Sequence, residues 1–136
     1  MKNPLWIALF FLFACDENKG IEVNNGIYLH DNSSKVWLLD KEMDGDKDYT
    51  PLRLEYKQIF VFHQSNKLYI YRLNSLGKQR GAKYDFSFNE NQLSFYNDTA
   101  RFDYFVSKAT RQEVILKPVL NGLAKRTLFL VPFPEY

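Results

Sequence analysis

The chain has 136 residues, of which 46% are hydrophobic, 17% aromatic and 25% charged, the make-up of one globular domain with one core. A formal net charge of +2, carried by scattered basic residues, excludes the strong positive field that nucleic acid or an anionic membrane surface would require. Six glycines and five prolines likewise exclude low-complexity character.

The chain opens with Lys2, an apolar stretch from Leu5 to Phe13, and the small residue Ala14 immediately before Cys15, which together read as a secretory signal. The stretch is far shorter than the roughly 20 apolar residues of a membrane-spanning helix, and Asp16-Glu17 follow at once. Leu12-Phe13-Ala14-Cys15 resembles the lipobox of bacterial lipoproteins. That resemblance implies a signal peptide over 1–14, cleavage before Cys15, and acyl chains on Cys15 that fasten the protein to the outer membrane, at its periplasmic face or at the cell surface. Cys15 is the sole cysteine, so no disulfide forms within the chain. Each buried methylene contributes about 0.8 kcal/mol, and stable anchoring takes more than one chain. Residues 15–25 are polar, as a tether is. Asp16-Glu17 is also similar to the acidic surface-export signal of lipoproteins in one large Gram-negative phylum, and Asp98-Thr99-Ala100 resembles an O-glycosylation tripeptide of that lineage. A solvated linker and a hairpin turn are the plain alternatives for these two short motifs.

Residues 26–136 are read as one all-β domain, because β-branched and aromatic residues alternate with polar ones between turn signals. Gly26–His30 and Lys35–Leu39 are the first expected strands, with Asp31–Ser34 as their turn. Leu52–His63 is expected to follow, with Leu54, Tyr56, Phe60 and Phe62 on one face, and Ser65-Asn66 returns the chain into Leu68–Leu73. Tyr84, Phe86 and Phe88 alternate in the next strand, and Asn89–Asn91 turns into Gln92–Tyr96. Phe102, Tyr104 and Val106, then Val114 and Leu116, and finally Leu128 and Leu130 mark the last three. About eight antiparallel strands at this spacing predict a meander that closes into a small lipocalin-like barrel, with a two-sheet sandwich as the alternative. Closure removes exposed edges from such aromatic strands.

Trp37, the aromatic hairpin Phe60–Tyr71, Gly81-x-x-Tyr84 and an apolar strand near the end resemble, in that order, the small lipocalin-like lipoproteins of the same lineage. Gly26-Ile27-Tyr28 carries tyrosine where lipocalins have the tryptophan of Gly-x-Trp. Lys35–Asp40 and Leu130–Pro134 look like blocks of the accessory lipoprotein in the trans-envelope complex of the type VI secretion system.

Groups that carry chemistry are sparse. His30 and His63 have no neighbour at metal-ligand spacing and read as surface or turn histidines. Asp44, Asp46, Asp48 and Glu55 reproduce the carboxylate spacing of a calcium loop, but Tyr49 stands at the sharp-turn glycine and the flanks read as strands. No phosphate loop or nucleophile elbow is present, so no cofactor, no metal and no enzymatic activity is expected. Lys78, Arg80 and Lys83, Lys108 and Arg111, and Lys125-Arg126 read as solvated hairpin ends, or as a rim that pairs with an acidic partner.

The expected function is a non-enzymatic, lipid-anchored accessory subunit that docks onto other envelope proteins. The alternatives are a lipocalin-like binder of a small apolar ligand and an anchored immunity or inhibitor protein. The bore aromatics Phe60, Phe62, Tyr84, Phe86, Phe88, Phe102 and Tyr104 are large enough to fill much of an eight-stranded barrel. Tyr69, Tyr71, Phe105 and Phe129 fall on the faces opposite the core residues and are the expected partner-binding positions.

Overall fold

The computed structural model describes residues 27–78 and 80–133. The signal segment 1–14, Cys15 and the tether 15–25 lie outside the described residues. Nine strands follow a short helix: α1 (Ile27–His30), β1 (Ser34–Asp44), β2 (Lys47–Asp48), β3 (Gln58–His63), β4 (Lys67–Arg72), β5 (Ala82–Asn89), β6 (Gln92–Tyr96), β7 (Arg101–Ala109), β8 (Val114–Pro118) and β9 (Thr127–Pro132). Each pairs antiparallel with the next in the order β2-β1-β3-β4-β5-β6-β7-β8-β9, and β1 also pairs with β9. Eight strands thus close into an up-and-down barrel, the small lipocalin-like architecture expected, with β2 as a short extension beside β1. The sandwich alternative does not apply, because the first and last barrel strands bond to one another from Trp37↔Pro132 to Met43↔Thr127.

Strict alternation builds the core. Trp37 and Leu39, Phe60 and Phe62, Leu68, Phe86, Leu93 and Phe95, Tyr104 and Val106, Val114 and Leu116, and Leu128 and Leu130 all point into the bore and are buried in one cluster. The turns use residues that tolerate a left-handed backbone. Asn66 has φ 66°, Gly45 has φ 59°, and the two-residue β5–β6 turn has φ 50° at Glu90 and 67° at Asn91, the pattern of a type I′ hairpin. The 97–100 loop is a turn as well, with Asn97 Oδ1 accepting from the Thr99 and Ala100 amides at 2.9 and 3.0 Å.

Three strand expectations are corrected. Ile27–His30 is a helical turn and not a strand. It sits at one end of the barrel, where no sheet edge is open to it, and it inserts Leu29 into the core. The strand expected over Leu52–His63 begins only at Gln58. Before it, Leu54–Tyr56 forms a 3-10 turn whose bonds are local, from the Tyr56 amide to the Arg53 carbonyl and from the Lys57 amide to the Leu54 carbonyl. Leu52, Leu54 and Tyr56 are therefore exposed instead of facing the core, and Glu55 pairs with Arg53. Finally, β4 ends at Arg72, and Leu73 opens a second 3-10 turn over Leu73–Ser75.

Candidate functional site

The two ends of the barrel differ. At the closed end, α1 lies against β1 and β3 and Leu29 is seated in the core. The Trp37 indole Nε1–H donates to the Leu29 carbonyl at 3.0 Å. Lys35 lies over the Trp37 ring, its Nζ 4.2 Å from the centroid, and donates to the Arg111 carbonyl at 2.8 Å, which ties the β7–β8 loop to this end. Phe62 meets Phe86 edge-on at 5.1 Å. The aromatics fill this half of the bore, as their size predicts.

The opposite end is an open cup of about 440 Å³. Its floor is apolar and aromatic, with Leu39, Phe60, Phe95, Phe102 and Leu128 below Ile70, Ala82 and Tyr84. Tyr84, Phe95, Phe102 and Tyr104 pack against one another by edge-on, tilted and stacked contacts at 5.3 to 6.1 Å, so the wall is continuous although the space between its sides is not filled. The β8–β9 loop reaches over the mouth and contributes Leu123, Ala124, Lys125 and Arg126.

A β-bulge decides what else faces the cup. In β1, Leu39 pairs with Leu130 but Lys41 pairs with Phe129, so Asp40 is the extra residue and the side-chain parity changes there. Lys57 holds the bulge by donating to the Asp40 carbonyl at 2.9 Å and to its carboxylate at 3.2 Å. As a result Glu42, which uninterrupted alternation would turn outward, lines the mouth. It meets the Arg126 Nη1 at 3.4 Å, and Arg126 in turn lies 4.1 Å from the centre of the Tyr49 ring. Two polar groups therefore clasp the loop to the β1–β2 extension.

Among the described residues, Tyr104 is the one deep polar side chain of the cup. Only 6% of the residue is exposed, its hydroxyl makes no hydrogen bond to any described residue, and burial together with the nearby Glu42 charge raises its pKa well above the ordinary phenol value. It stays a neutral hydroxyl, able to donate to a group placed in the cup.

Beside the cup, and sharing Gln58 and Ile70 with it, lies a second cavity of about 540 Å³. Arg72 at the end of β4, Asn74 and Ser75 of the 3-10 turn, and Lys78, Arg80 and Gly81 before β5 line it, with Tyr71. Arg72, Lys78 and Arg80 form no ion pair with a described carboxylate.

The four residues expected at a partner surface do not converge. Tyr69 and Tyr71 stack at 6.4 Å on the outside of β4, Phe105 is 52% exposed on β7, and Phe129 is half-buried on β9 beside Lys41, whose Nζ lies 5.8 Å from its ring centre. β4 and β7 are three strands apart in an eight-stranded barrel, and β9 is three strands from β4 in the other direction, so the four residues do not form one cluster. Tyr71 also has a local task. A methyl group at Gly81 would sit 2.5 Å from the Tyr71 Cε1 and 2.7 Å from the Ile70 carbonyl oxygen, so the ring lies directly over the glycine backbone, an aromatic cover for a bare strand start.

Of the remaining expectations, Asp44–Asp48 occupy the β1–β2 hairpin, with the Asp48 carboxylate accepting from the Thr50 amide at 2.9 Å. His30 Nδ1 accepts from the Asn32 amide at 3.0 Å, and His63 sits edge-on to Tyr69 at 5.3 Å. Among the described residues, no three His, Cys, Asp or Glu side chains group so as to hold a metal. The sequence missed Glu42, Tyr104 as a cup group, and the Gln58–Ile70 wall. The only signal for Glu42 was the break in apolar periodicity after Leu39, which alternation alone reads as the end of a strand. No family model, curated protein or solved structure matches this chain.

Proposed function

We propose that this protein is a non-enzymatic, lipid-anchored envelope protein whose barrel binds a small apolar ligand in the cup. The observation that carries this reading is the 440 Å³ space with an aromatic floor and a polar rim, within the range of about 300 to 1,000 Å³ typical of small-molecule sites. Leu39, Phe95 and Leu128 supply apolar contact, and the Tyr104 hydroxyl gives a polar reference point for orientation. Native mass spectrometry of the full chain released from envelopes tests it. A small molecule bound to the wild type and lost in Ala82→Trp, a substitution at an exposed cup position, is the expected result. A wild-type chain that carries nothing and takes up no apolar probe overturns the reading.

The anchor belongs to the same proposal and rests on Leu12–Cys15. Metabolic labelling with an alkyne fatty acid is expected to mark the wild type and not Cys15→Ser. Retained label and membrane association in the variant would remove the anchor from the proposal.

A second reading, docking onto envelope proteins such as a type VI secretion complex, is favoured by one observation. The outer face of β9, β1, β3 and β4 carries a cross-strand apolar row of Val131, Leu38, Ile59 and Tyr71, and beside it lies a row of Val36, Val61 and Tyr69. Leu38 and Ile59 are each only 6% exposed although they face away from the bore, so they are already covered and the accessible part of this face is the row of Val36, Val61 and Tyr69. Polar residues are the norm on the solvated face of an antiparallel sheet. Tyr69→Ala is the sharper probe, since Tyr71 also covers Gly81. Unchanged recovery of every crosslinked envelope partner by a folded Tyr69→Ala chain would sink this reading.

A further inference from the structure

We propose that the cup and the basic cleft beside it form one composite site, and that its ligand is a single-chain amphiphile with an anionic head, a phosphate or a carboxylate. This rests on the cup reading above and adds the chemistry of the ligand. The two cavities share a wall made by Gln58 and Ile70, so a molecule with its apolar part against Ile70 and Phe60 has its other end beside the cleft. Ile70 presents an apolar side chain at that junction and Gln58 an amide that donates and accepts, which suits the point where a tail becomes a head.

Charge sets the sign of the head. At the cup mouth, Glu42 is matched by Arg126 at 3.4 Å, so that pair offers little net field. In the cleft, Arg72, Lys78 and Arg80 stand together with Asn74 and Ser75, and no acidic residue among the described ones lines the space. Three cations around one concave surface repel a cationic head and leave an uncharged one without its best partner. They attract an anion, to which guanidinium groups donate in charge-assisted pairs. The pattern contrasts with that at four other lysines of the barrel. Lys35, Lys57, Lys67 and Lys108 each lie beside a carboxylate, Asp31, Asp40, Asp85 and Glu113 respectively. The cleft thus gathers three cations without a described carboxylate partner on one cavity. The exposure of all three makes their attraction salt-dependent.

The test uses the full chain in nanodiscs of uncharged lipid, with heats corrected against empty discs, and three probes: octyl phosphate, 1-octanol and inorganic phosphate. Octyl phosphate is expected to bind about tenfold more tightly than 1-octanol. The double variant Arg72→Gln with Arg80→Gln is expected to bring octyl phosphate to the octanol level while leaving octanol binding unchanged. Lys78→Gln alone gives a smaller loss in the same direction, and circular dichroism checks that each variant is folded. If octanol and octyl phosphate bind alike and neither variant changes this, the anionic head is overturned and the cup stands. If octyl phosphate binds no better than inorganic phosphate and octanol does not bind, the cup reading falls and the composite site with it.

Discussion

The closed and open ends of this barrel are built from the same strands and the same kinds of side chain, yet one is filled and the other is hollow. At the closed end, Trp37, Phe62, Leu68 and Phe86 pack together, α1 adds Leu29, and the buried Trp37 indole N–H has a carbonyl partner. At the open end the aromatics lean on the wall and on each other, the loop 119–126 only partly covers the gap, and the deep hydroxyl of Tyr104 has no described partner. A small barrel can thus separate stability from recognition along its axis. Close packing and satisfied polar groups concentrate where the chain must be held, and unfilled volume with an unpaired donor where a ligand enters.

The largest expected effect comes from breaking the filled end. Trp37→Ala removes the biggest fully buried side chain and orphans the Leu29 carbonyl, and is expected to destabilise by about 3–5 kcal/mol. Ile70→Ala, half-buried at the cup, should cost clearly less in the same denaturant titration. Equal losses would mean that the cup wall bears as much of the stability as the closed end.

Next in size is Gly81→Ala, at the junction of the cleft and β5. The added methyl meets Tyr71 and the Ile70 carbonyl oxygen, so overpacking of about 1–3 kcal/mol is expected, only partly relieved in Gly81→Ala with Tyr71→Ala because the contact with the backbone carbonyl remains. A stable single variant would show that both the Tyr71 ring and the strand start at Gly81 yield freely, which would return Tyr71 to the set of residues available for docking.

Acid sharpens the contrast by a different lever, because an ionised group braces the wall of the cup while the closed end rests on apolar packing. Asp103 accepts from the Ser94 hydroxyl at 2.5 Å and from Arg101 Nε at 3.0 Å, and Ser94 is 3% exposed. The Ser94 hydrogen bond foremost, with Arg101 and Gln92, lowers the Asp103 pKa against a burial effect that raises it. The unfolded chain therefore binds the proton more tightly, so the stability from this group is full above the ordinary Asp pKa and is lost as pH falls toward the lower folded value. Thermal melts from neutral pH down through the carboxylate range should show a drop in Tm that is reduced in Ser94→Ala. An acid response unchanged by that substitution would remove Asp103 from the account.

The smallest stability effect is expected at Tyr104. Deleting a hydroxyl that has no described partner, as in Tyr104→Phe, should leave stability within about 1 kcal/mol of wild type while weakening capture of a ligand that accepts a hydrogen bond. A clear loss of stability would reveal a partner for the hydroxyl in the folded chain, and the cup would then lack its polar reference point.

Much of the fold was legible because strands follow a two-residue period that needs no tertiary information. Phe60 and Phe62, Tyr84 and Phe86, and Leu128 and Leu130 each announced an inward face, and asparagine-rich turns at 66 and 89–91 announced the hairpins. Ile27–His30 was misread because four apolar and aromatic residues look alike as a strand or as a helical turn. Only the absence of an open edge at the end of a closed barrel separates the two. Leu54 and Tyr56 kept the right period by chance, and their backbone bonds turned out to be local. The candidate site was less legible than the fold, since its polar member Glu42 depends on a bulge that shifts parity by one, and its basic cleft joins residues from the end of β4 to the start of β5.

By itself, then, the order of residues determined about eight antiparallel strands, their hairpins and their inward aromatics, because those follow from local alternation and turn chemistry, whereas closure into a barrel over a sandwich was decided by the pairing of β1 with β9. Tertiary structure alone decided that Leu29 plugs one end, that Glu42 turns inward, and that the same aromatics which fill the bore below leave about 440 Å³ open above. Volume is a property of facing walls, and no single strand encodes the distance to the one across from it.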